Sequence, residues 1–376
     1  MSIFGQCNSS KSSTSRMSYL NQKRKPSLST IKSNESFESS TKHKFGLVYV
    51  EICEKYNTRP VPWVKCNGKT NSIEILGDRM KTDEWLAAME ALSTDTSTHY
   101  IRIKNKRYTE HLAKNYETFN SAVGAPKNVL AVTTLYVVRL IATSIHEVLI
   151  NTTALVCLEL ENVIFDEQAL ETLIAGIDTN QTIQHLSLAY SRIGNEACLT
   201  LCRTLRDKPN IRSVDLSGCC LNRESAASGL LNVIKKQQVK RHEECWAHSL
   251  RHRIANPDIM HGLRRLTLND NTAIGDAGVA DLFESLKDDY YVKAVDLQNC
   301  GLTDRGAQLA LSTLMINDTL VVLDVRKNSN ISSAMLEAIM TRLYENNVKK
   351  TETKKWKWTK LGRENVYESS CTLLAR

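Results

Sequence analysis

The sequence predicts an α/β solenoid, in which short parallel strands alternate with helices and stack into an open, curved array. Short segments of the form apolar-x-apolar recur at a nearly constant distance along the chain, and most of those in the second half are followed by a helical pattern of apolar residues. Repetition at a fixed period is typical of repeat architectures, in which each unit buries its apolar side only against its neighbours.

Nine predicted strands follow this period. Their first residues are Ile73, Ile101, Leu130, Leu158, Leu186, Val214, Leu266, Val295 and Leu323. The successive steps are 28, 29, 28, 28, 28, 52, 29 and 28 residues. Seven steps therefore fit one repeat length, and the step of 52 contains about 24 additional residues after the sixth strand.

The later units share a corner position three residues after the strand. It is occupied by Val163, Ser191, Cys219, Asn271, Cys300 and Asn328. An apolar residue follows the corner, which matches the L-x-L-x-x-N/C-x-L signature of leucine-rich repeats. Because an inward amide or thiol can pair with backbone groups that stacked corners bury, we interpret Cys219 and Cys300 as structural thiols rather than nucleophiles or metal ligands.

Each of five corners leads into a helical pattern. The predicted helices cover residues 166–177, 195–205, 276–286, 304–314 and 332–343. Asp276 and Asp304 lie where a helix N-cap is expected. The predicted fold is thus a leucine-rich repeat horseshoe of the ribonuclease-inhibitor type, with about nine strand–helix units, strands on the concave side and helices outside.

The first units are less regular than the later ones. Residues 104–129 show no strong helical pattern, so the third unit is expected to be irregular. The apolar stretch 129–150 is interrupted by Arg139, His146 and Glu147, and we interpret it as a buried helix rather than a membrane span.

The chain divides into three parts by composition. Residues 1–44 are rich in Ser and Lys and are expected to be a disordered tail. Residues 45–348 form the predicted solenoid, beginning with an N-terminal cap at 45–72. Residues 349–376 are basic and contain aromatic residues, which suits a C-terminal cap or solvated tail, a patch for a polyanion or membrane surface, or a strand for a partner.

Charge and cysteine content limit the function classes. The formal net charge is +8, and the two ends contribute about six positive charges each, so the body is mildly acidic. A nucleic-acid-binding domain usually carries a basic stripe on its folded surface, so any such role is confined to the tails. The eleven cysteines come without a recognisable signal peptide, so a reduced intracellular compartment is expected.

The additional residues after the sixth strand predict one long helix. It covers residues 224–253, within an insertion at about 224–257 that Pro257 helps to end. At about 1.5 Å per residue, such a helix extends well past its neighbours. Five apolar residues are expected on or near one of its faces, namely Leu231, Ile234, Val239, Trp246 and Leu250.

The insertion contains several potential metal ligands, including His248 and His252 at i, i+4 spacing. The H-E-x-x-H pattern fails because Trp246 stands where the second His belongs, and no further ligand pair is evident. The chain also lacks a nucleophile elbow and a phosphate-binding loop. The sequence therefore predicts a protein that is not an enzyme, with no metal, cofactor or small-molecule substrate.

Protein binding is the function that a solenoid surface favours. Alternate strand residues point into the concavity, and the insertion adds a second surface. The candidate contact residues are Glu159, Asp215, Thr267, Asn269, Asp296, Gln298, Asp324 and Arg326 on the strands, and Arg241, Glu244, Trp246 and Arg251 on the insertion.

Four stretches resemble one known family. RHEECWAHSLRHR, MHGLRRLTLNDNTAIGDAG, VDLQNCGLTDRGA and TLVVLDVRKN are similar to the family of the centrosomal protein of 78 kDa. The resemblance is densest over residues 155–335 and extends weakly back to residue 45. The long helix after the sixth strand makes it specific, because generic ribonuclease-inhibitor repeats lack this helix. Family members continue into a long tail with a short coiled coil, and the functions of that tail are not carried over to these 376 residues.

The resemblance implies a non-enzymatic role at mature centrioles and basal bodies, in cilium assembly and centrosome homeostasis, partly through control of ubiquitin-ligase activity. It implies centrosomal and centriolar partners, including a ubiquitin-ligase complex, and a location in the cytoplasm and cytoskeleton. An alternative on the same repeat is a regulator of another enzyme, either a GTPase activator or an inhibitor resembling ribonuclease inhibitor. The mildly acidic body fits an inhibitor of basic ribonucleases poorly.

Overall fold

One sheet runs through the whole described part of the protein. The computed structural model describes residues 44–107, 111–113, 115–252 and 260–348. Within these ranges nine strands follow each other across the sheet in chain order. They are β1 (Val64–Asn67), β2 (Ser72–Leu76), β3 (Tyr100–Lys104), β4 (Cys157–Glu161), β5 (His185–Ser187), β6 (Ser213–Asp215), β7 (Arg265–Thr267), β8 (Ala294–Asp296) and β9 (Val322–Asp324). β1 and β2 are antiparallel, and all later neighbours are parallel.

Helices connect the strands and pack against one another in sequence order. They are α1 (Lys44–Lys55), α2 (Thr82–Ser93), α3 (Phe119–Val123), α4 (Leu135–Asn151), α5 (Glu167–Thr179), α6 (Gly194–Arg206), α7 (Leu231–Ser249), α8 (Gly275–Lys287), α9 (Asp304–Ile316) and α10 (Ser333–Val348). A single apolar core lies between the sheet and the helices. The strand and helix alternation confirms the predicted leucine-rich repeat solenoid.

The strand predicted at residues 130–132 is wrong. These residues lie at a short 3-10 turn, Ala131–Thr133, and β3 pairs directly with β4 through Ile101 and Leu158. The turn leads into α4, where the Thr134 hydroxyl accepts a hydrogen bond from Val137 N at 3.5 Å. The apolar residues of this unit therefore belong to the turn and to the buried helix predicted at 129–150. The unit is irregular, as expected. The described residues still contain nine strands, because β1 is present although the sequence pattern does not predict it.

The regions assigned to the ends of the chain are only partly described. The predicted tails lie outside the described residues, apart from Lys44, which begins α1. The residues assigned to an N-terminal cap contain α1 and β1, and α1 buries Phe45, Tyr49 and Cys53 beside α2. None of the described helices is both long and apolar enough to cross a bilayer.

The polar corner side chains link their repeats to the preceding ones, as predicted. Asn271 Nδ2 donates to Leu216 O at 2.9 Å, and the Cys219 thiol donates to Leu188 O at 3.1 Å. The side chains of Ser191, Cys300 and Asn328 hydrogen-bond to the equivalent carbonyl group of the preceding unit. Burial raises the pKa of the Cys300 thiol to about 12, so the protonated, donating form is the one present at neutral pH.

The two aspartates predicted as helix N-caps have a different role. Asp276 lies inside the first turn of α8, and its carboxylate accepts hydrogen bonds from Thr303 N at 2.9 Å and Gly306 N at 3.1 Å. Asp304 likewise accepts from Ser332 N at 2.7 Å in the following unit. Each carboxylate thus satisfies amide groups at or just before the start of the next helix, because stacking brings successive helix N-termini side by side.

Candidate protein-binding surfaces

The open face of the sheet carries polar side chains that pair across neighbouring strands. Arg265 Nη2 lies 2.5 Å from Asp296 Oδ2, and the Thr267 hydroxyl donates to the same oxygen at 3.0 Å. Arg326 Nη2 and Gln298 Nε2 lie 2.6 and 2.7 Å from Asp324 Oδ2. Thr267 lies opposite Asp296 and Arg265 lies diagonally to it, so these pairs join β7 to β8. Gln298 contacts Asp324 from the preceding unit, whereas Arg326 and Asp324 are two residues apart in the same segment.

A second group of paired charges lies at β3 and β4. The Tyr100 hydroxyl donates to Glu159 Oε2 at 2.7 Å, and Arg102 Nε lies 3.3 Å from the same oxygen. Arg102 and Lys104 both contact Glu161, at 2.7 and 2.5 Å. Although burial opposes ionisation, hydrogen bonds from Lys104 and Arg102 lower the pKa of Glu161 below its ordinary value.

The candidate contact residues of the strands fall into a buried group and a partly exposed group. Glu159, Asp296 and Asp324 are buried and hold the sheet together. Asp215, Thr267, Asn269, Gln298 and Arg326 remain partly exposed on the open face. Asn269 Oδ1 also accepts from Gln298 N at 2.8 Å, and Asp215 Oδ1 accepts from Ser217 N at 3.0 Å. The accessible part of the predicted surface is therefore smaller than the strand pattern indicates.

Tyr190 and Gly218 form a surface feature that the sequence did not point out. Tyr190 adopts φ 62°, which is unusual for an aromatic residue, and its hydroxyl donates to Asp270 Oδ2 at 2.6 Å. Its ring lies over Gly218, the equivalent residue of the next unit, where a Cβ would collide with it. The hydrogen bond to Asp270 raises the pKa of Tyr190 to about 12. A glycine 28 residues after a tyrosine at the same corner is the sequence signal for this arrangement.

The insertion begins as the regular helix of its repeat. A π-helical segment, Ser225–Leu230, leads into α7, and Leu231, Val233 and Ile234 are buried in the core. Gln237 marks the end of the part of the helix that packs as in the other repeats. Its Nε2 donates to Leu205 O at 3.0 Å, and its Oε1 accepts from Leu263 N at 2.8 Å. Beyond Gln237 the helix continues past the end of the repeat.

An amide side chain occupies the same place at several other helix ends. Asn180 donates to Leu149 O and Asn317 donates to Leu286 O, both in the preceding unit. The Asn317 oxygen also accepts two backbone N–H groups, from Thr319 at 2.6 Å and Leu320 at 2.9 Å. Gln237 fills this position in the insertion. The next unit departs from the pattern, because an aspartate stands there.

That aspartate, Asp289, fastens the insertion to the solenoid. Its Oδ1 accepts from Tyr291 N and Val292 N at 2.7 Å, as Asn317 does in its own unit. Its Oδ2 accepts from Arg241 Nη2 at 2.9 Å, and the two side chains are only 3% and 1% exposed. The Arg241 guanidinium also lies 4.2 Å from the Tyr291 ring centroid, and Arg264 lies 4.4 Å from the same ring. Arg241 is therefore a buried docking residue, although it was predicted as a contact residue.

The far half of α7 has one attached side and one exposed side. His242 stacks on Tyr290 with ring centroids 5.4 Å apart, and the Cys245 sulfur lies 3.3 Å from the Tyr290 hydroxyl. Val239, Trp246 and Leu250, which directly follows α7, are 51%, 67% and 62% exposed. The single apolar face predicted for the insertion is thus wrong, because Leu231 and Ile234 face the core while these three face outward.

Three of the four predicted contact residues on the insertion are accessible. Glu244, Trp246 and Arg251 are exposed, whereas Arg241 is buried. The predicted end of the insertion, residues 253–257, lies outside the described residues. Among the residues that the structure describes, no group of three or more His, Cys, Asp or Glu side chains is arranged to hold a metal ion.

Known proteins are similar to this chain over most of its length. The leucine-rich repeat family model matches residues 179–202 and 291–309. The human centrosomal protein of 78 kDa is 31% identical over 304 residues, which cover 79% of this chain. The chain is a homologue of the centrosomal protein of 78 kDa. The Drosophila melanogaster homologue of the centrosomal protein of 78 kDa is 29% identical over 310 residues, which cover 81% of this chain and 38% of that protein.

The matched region is only part of each relative. The alignment covers 43% of the human centrosomal protein of 78 kDa, so the chain spans less than half of its length. Among solved structures, the yeast Rad7–Elc1 complex aligns with 72% of this chain and 60% of the solved chain, at 12% identity and a TM-score of 0.37. A likeness at this level says nothing about function.

Proposed function

We propose that this protein is a non-enzymatic scaffold that binds other proteins at the centrosome. Homology to the centrosomal protein of 78 kDa over 79% of the chain supports the location. The repeat fold supports protein binding, because a solenoid presents an extended surface and keeps its stability in contacts between neighbouring units. Its partners are centrosomal and centriolar proteins rather than a small-molecule substrate.

The insertion is the surface that best supports this function. Its inner side is fixed by the buried Arg241–Asp289 ion pair, while Trp246 is 67% exposed on the outer side. A large aromatic side chain held in the solvent by a rigid support is typical of a binding anchor, since tryptophan and arginine dominate the energetics of protein interfaces. The partly exposed strand residues, Asp215, Thr267, Asn269, Gln298 and Arg326, provide a second surface.

The finer parts of the proposal rest on the resemblance described above. They place the protein at mature centrioles and ciliary basal bodies, with roles in cilium assembly and in regulation of ubiquitin-ligase activity. Proximity labelling of the tagged chain in ciliated cells tests them. We expect centriolar proteins and components of a ubiquitin ligase among the labelled proteins, and recovery of GTPases without centriolar proteins would instead favour an enzyme regulator.

Recruitment to the centrosome tests the role of the insertion. The variant Trp246→Ala/Arg251→Ala should lose most of the centrosomal signal of the tagged chain, while its thermal midpoint stays within a degree or two, because both side chains are exposed. The matched control is Tyr344→Ala/Arg305→Ala, which removes an exposed aromatic and an exposed arginine far from the insertion. Normal recruitment of the first variant would exclude the insertion as the anchoring surface.

A further inference from the structure

Three apolar side chains form a stripe on the outer side of the insertion helix. Val239, Trp246 and Leu250 are spaced by seven and four residues, so they lie within about 40° of one another around the helix and extend over about 16 Å. More than half of each side chain is exposed. We call these three residues the outer stripe. An α-helix with such a stripe normally buries it against another element.

The outer stripe cannot turn toward the solenoid. Gln237, Arg241 and Cys245 lie on the opposite side of the same helix, and each contacts the body of the protein. Rotating the helix would break the buried ion pair of Arg241 with Asp289, which is strongly unfavourable. Any cover for the stripe must therefore come from outside the described part of the protein.

Charged residues accompany the stripe in a definite order. Lys235 and Lys236 precede it, Glu243 lies beside its centre, and Arg251 follows it. All four side chains are exposed, and none forms an ion pair with a residue in the described ranges. The charge order along the helix and the turn that follows it is thus basic, acidic, basic.

We propose that the outer stripe binds an amphipathic helix of a partner protein whose charges run acidic, basic, acidic. This inference rests on the proposed protein-binding function and names the chemistry of the partner. The three apolar residues act as the anchors of helix–helix docking. Opposite charges at the two ends and the centre fix the direction and register of the partner helix, since electrostatic complementarity contributes specificity more than affinity.

The Glu243 carboxylate distinguishes this partner from an anionic membrane. Helices that lie on membranes carry Lys and Arg on the polar face and attract anionic lipids. Glu243 is exposed and lies about 40° from the centre of the stripe. It would face lipid headgroups of the same sign, whereas a partner helix places a cation opposite Glu243.

Labelled model peptides test the charge order with the full chain. Three 18-residue helical peptides share one Leu/Trp stripe and differ only in flanking charges, which are acidic–basic–acidic, basic–acidic–basic, or replaced by Gln. Fluorescence anisotropy should show at least tenfold tighter binding of the acidic–basic–acidic peptide than of the other two. In the variant Lys235→Glu/Lys236→Glu/Glu243→Lys/Arg251→Glu, the preference should reverse to the basic–acidic–basic peptide.

Two variants complete the test. Trp246→Ala should weaken binding of the preferred peptide at least tenfold, and Tyr344→Ala should leave it unchanged. Equal affinity for the three peptides, or no effect of Trp246→Ala, overturns the inference. If the chain instead binds phosphatidylserine vesicles in a Trp246-dependent way and shows no peptide selectivity, the inference is overturned and the outer stripe binds a membrane. If peptide selectivity holds while Trp246→Ala/Arg251→Ala is recruited normally in cells, the inference stands and the role of the insertion in recruitment fails.

Discussion

Arg241 Nη2 lies 2.9 Å from Asp289 Oδ2, in a contact from which water is almost completely excluded. Arg241 belongs to the insertion and Asp289 to the turn before β8, so one ion pair joins the added helix to the regular array. The Asp289 carboxylate also holds the turn through Tyr291 N and Val292 N. Losing either partner leaves a buried charge without compensation.

We therefore expect Arg241→Ala to lower the free energy of unfolding by about 3–5 kcal/mol. The double variant Arg241→Met/Asp289→Asn should recover most of this loss, because asparagine keeps the bonds to Tyr291 N and Val292 N and no charge remains buried. Urea titrations followed by circular dichroism measure both. A double variant as unstable as Arg241→Ala would contradict this account of the ion pair.

The asparagine corners give a second prediction. Asn328 donates to Leu297 O and Val325 O and accepts from Cys300 N and Leu302 N, all in buried surroundings. Asn328→Ala should reduce stability by about 3 kcal/mol or more, because several buried backbone groups lose their partner at once. The exposed Asn330→Ala is the matched control and should change the urea midpoint little. Similar midpoints for the two variants would show that the corner is not a stabilising link.

A third prediction concerns Gly218, which has φ 61° and lies under the Tyr190 ring. Gly218→Ala should cost about 1–2 kcal/mol for the left-handed backbone, with a further cost for the collision with the ring. Adding Tyr190→Ala removes the collision and leaves the backbone cost. A double-mutant cycle should therefore show a favourable coupling between the two substitutions, and simple additivity would mean that the ring moves away without cost.

The pH dependence of stability gives a fourth prediction, because the pKa of Glu161 is lowered in the folded protein. A lowered folded pKa stabilises the protein above the ordinary pKa of about 4.3, and this stabilisation is lost as the pH falls through the folded value. Glu161→Gln should be less stable than the natural chain at pH 7, and the difference should shrink below about pH 4. Glu337→Gln, which alters an exposed carboxylate, should show no such convergence in thermal scans at a series of pH values.

Much of the fold follows from the sequence because one period repeats. A strand at Leu186 implies one at Val214, and the corner asparagines add an independent check at the same spacing. The failure at residues 130–132 has a clear cause. A three-residue apolar pattern fits a strand or a turn before a buried helix equally well, and only the pairing of Ile101 with Leu158 decides between them.

The environments of the candidate contact residues are harder to predict than the fold. Strand alternation identifies which residues point away from the core, but it cannot show that Glu159 and Asp296 meet cations on neighbouring strands. The sequence of the insertion does not show that Arg241 is buried and Trp246 exposed, because both are residues with a polar and an apolar part on the same predicted helix. Their different environments depend on Asp289, which is 48 residues away from Arg241.

Strand pairing continues across the insertion without a change of register, since Ser213 pairs with Arg265 as His185 pairs with Ser213. Lengthening or replacing the extension therefore need not disturb the pairing of any strand. The proposed partner surface and the structural integrity of the sheet can then vary separately. An engineer could exchange residues 238–261 between relatives, keep a cation opposite Asp289, and obtain a new surface on an unchanged frame.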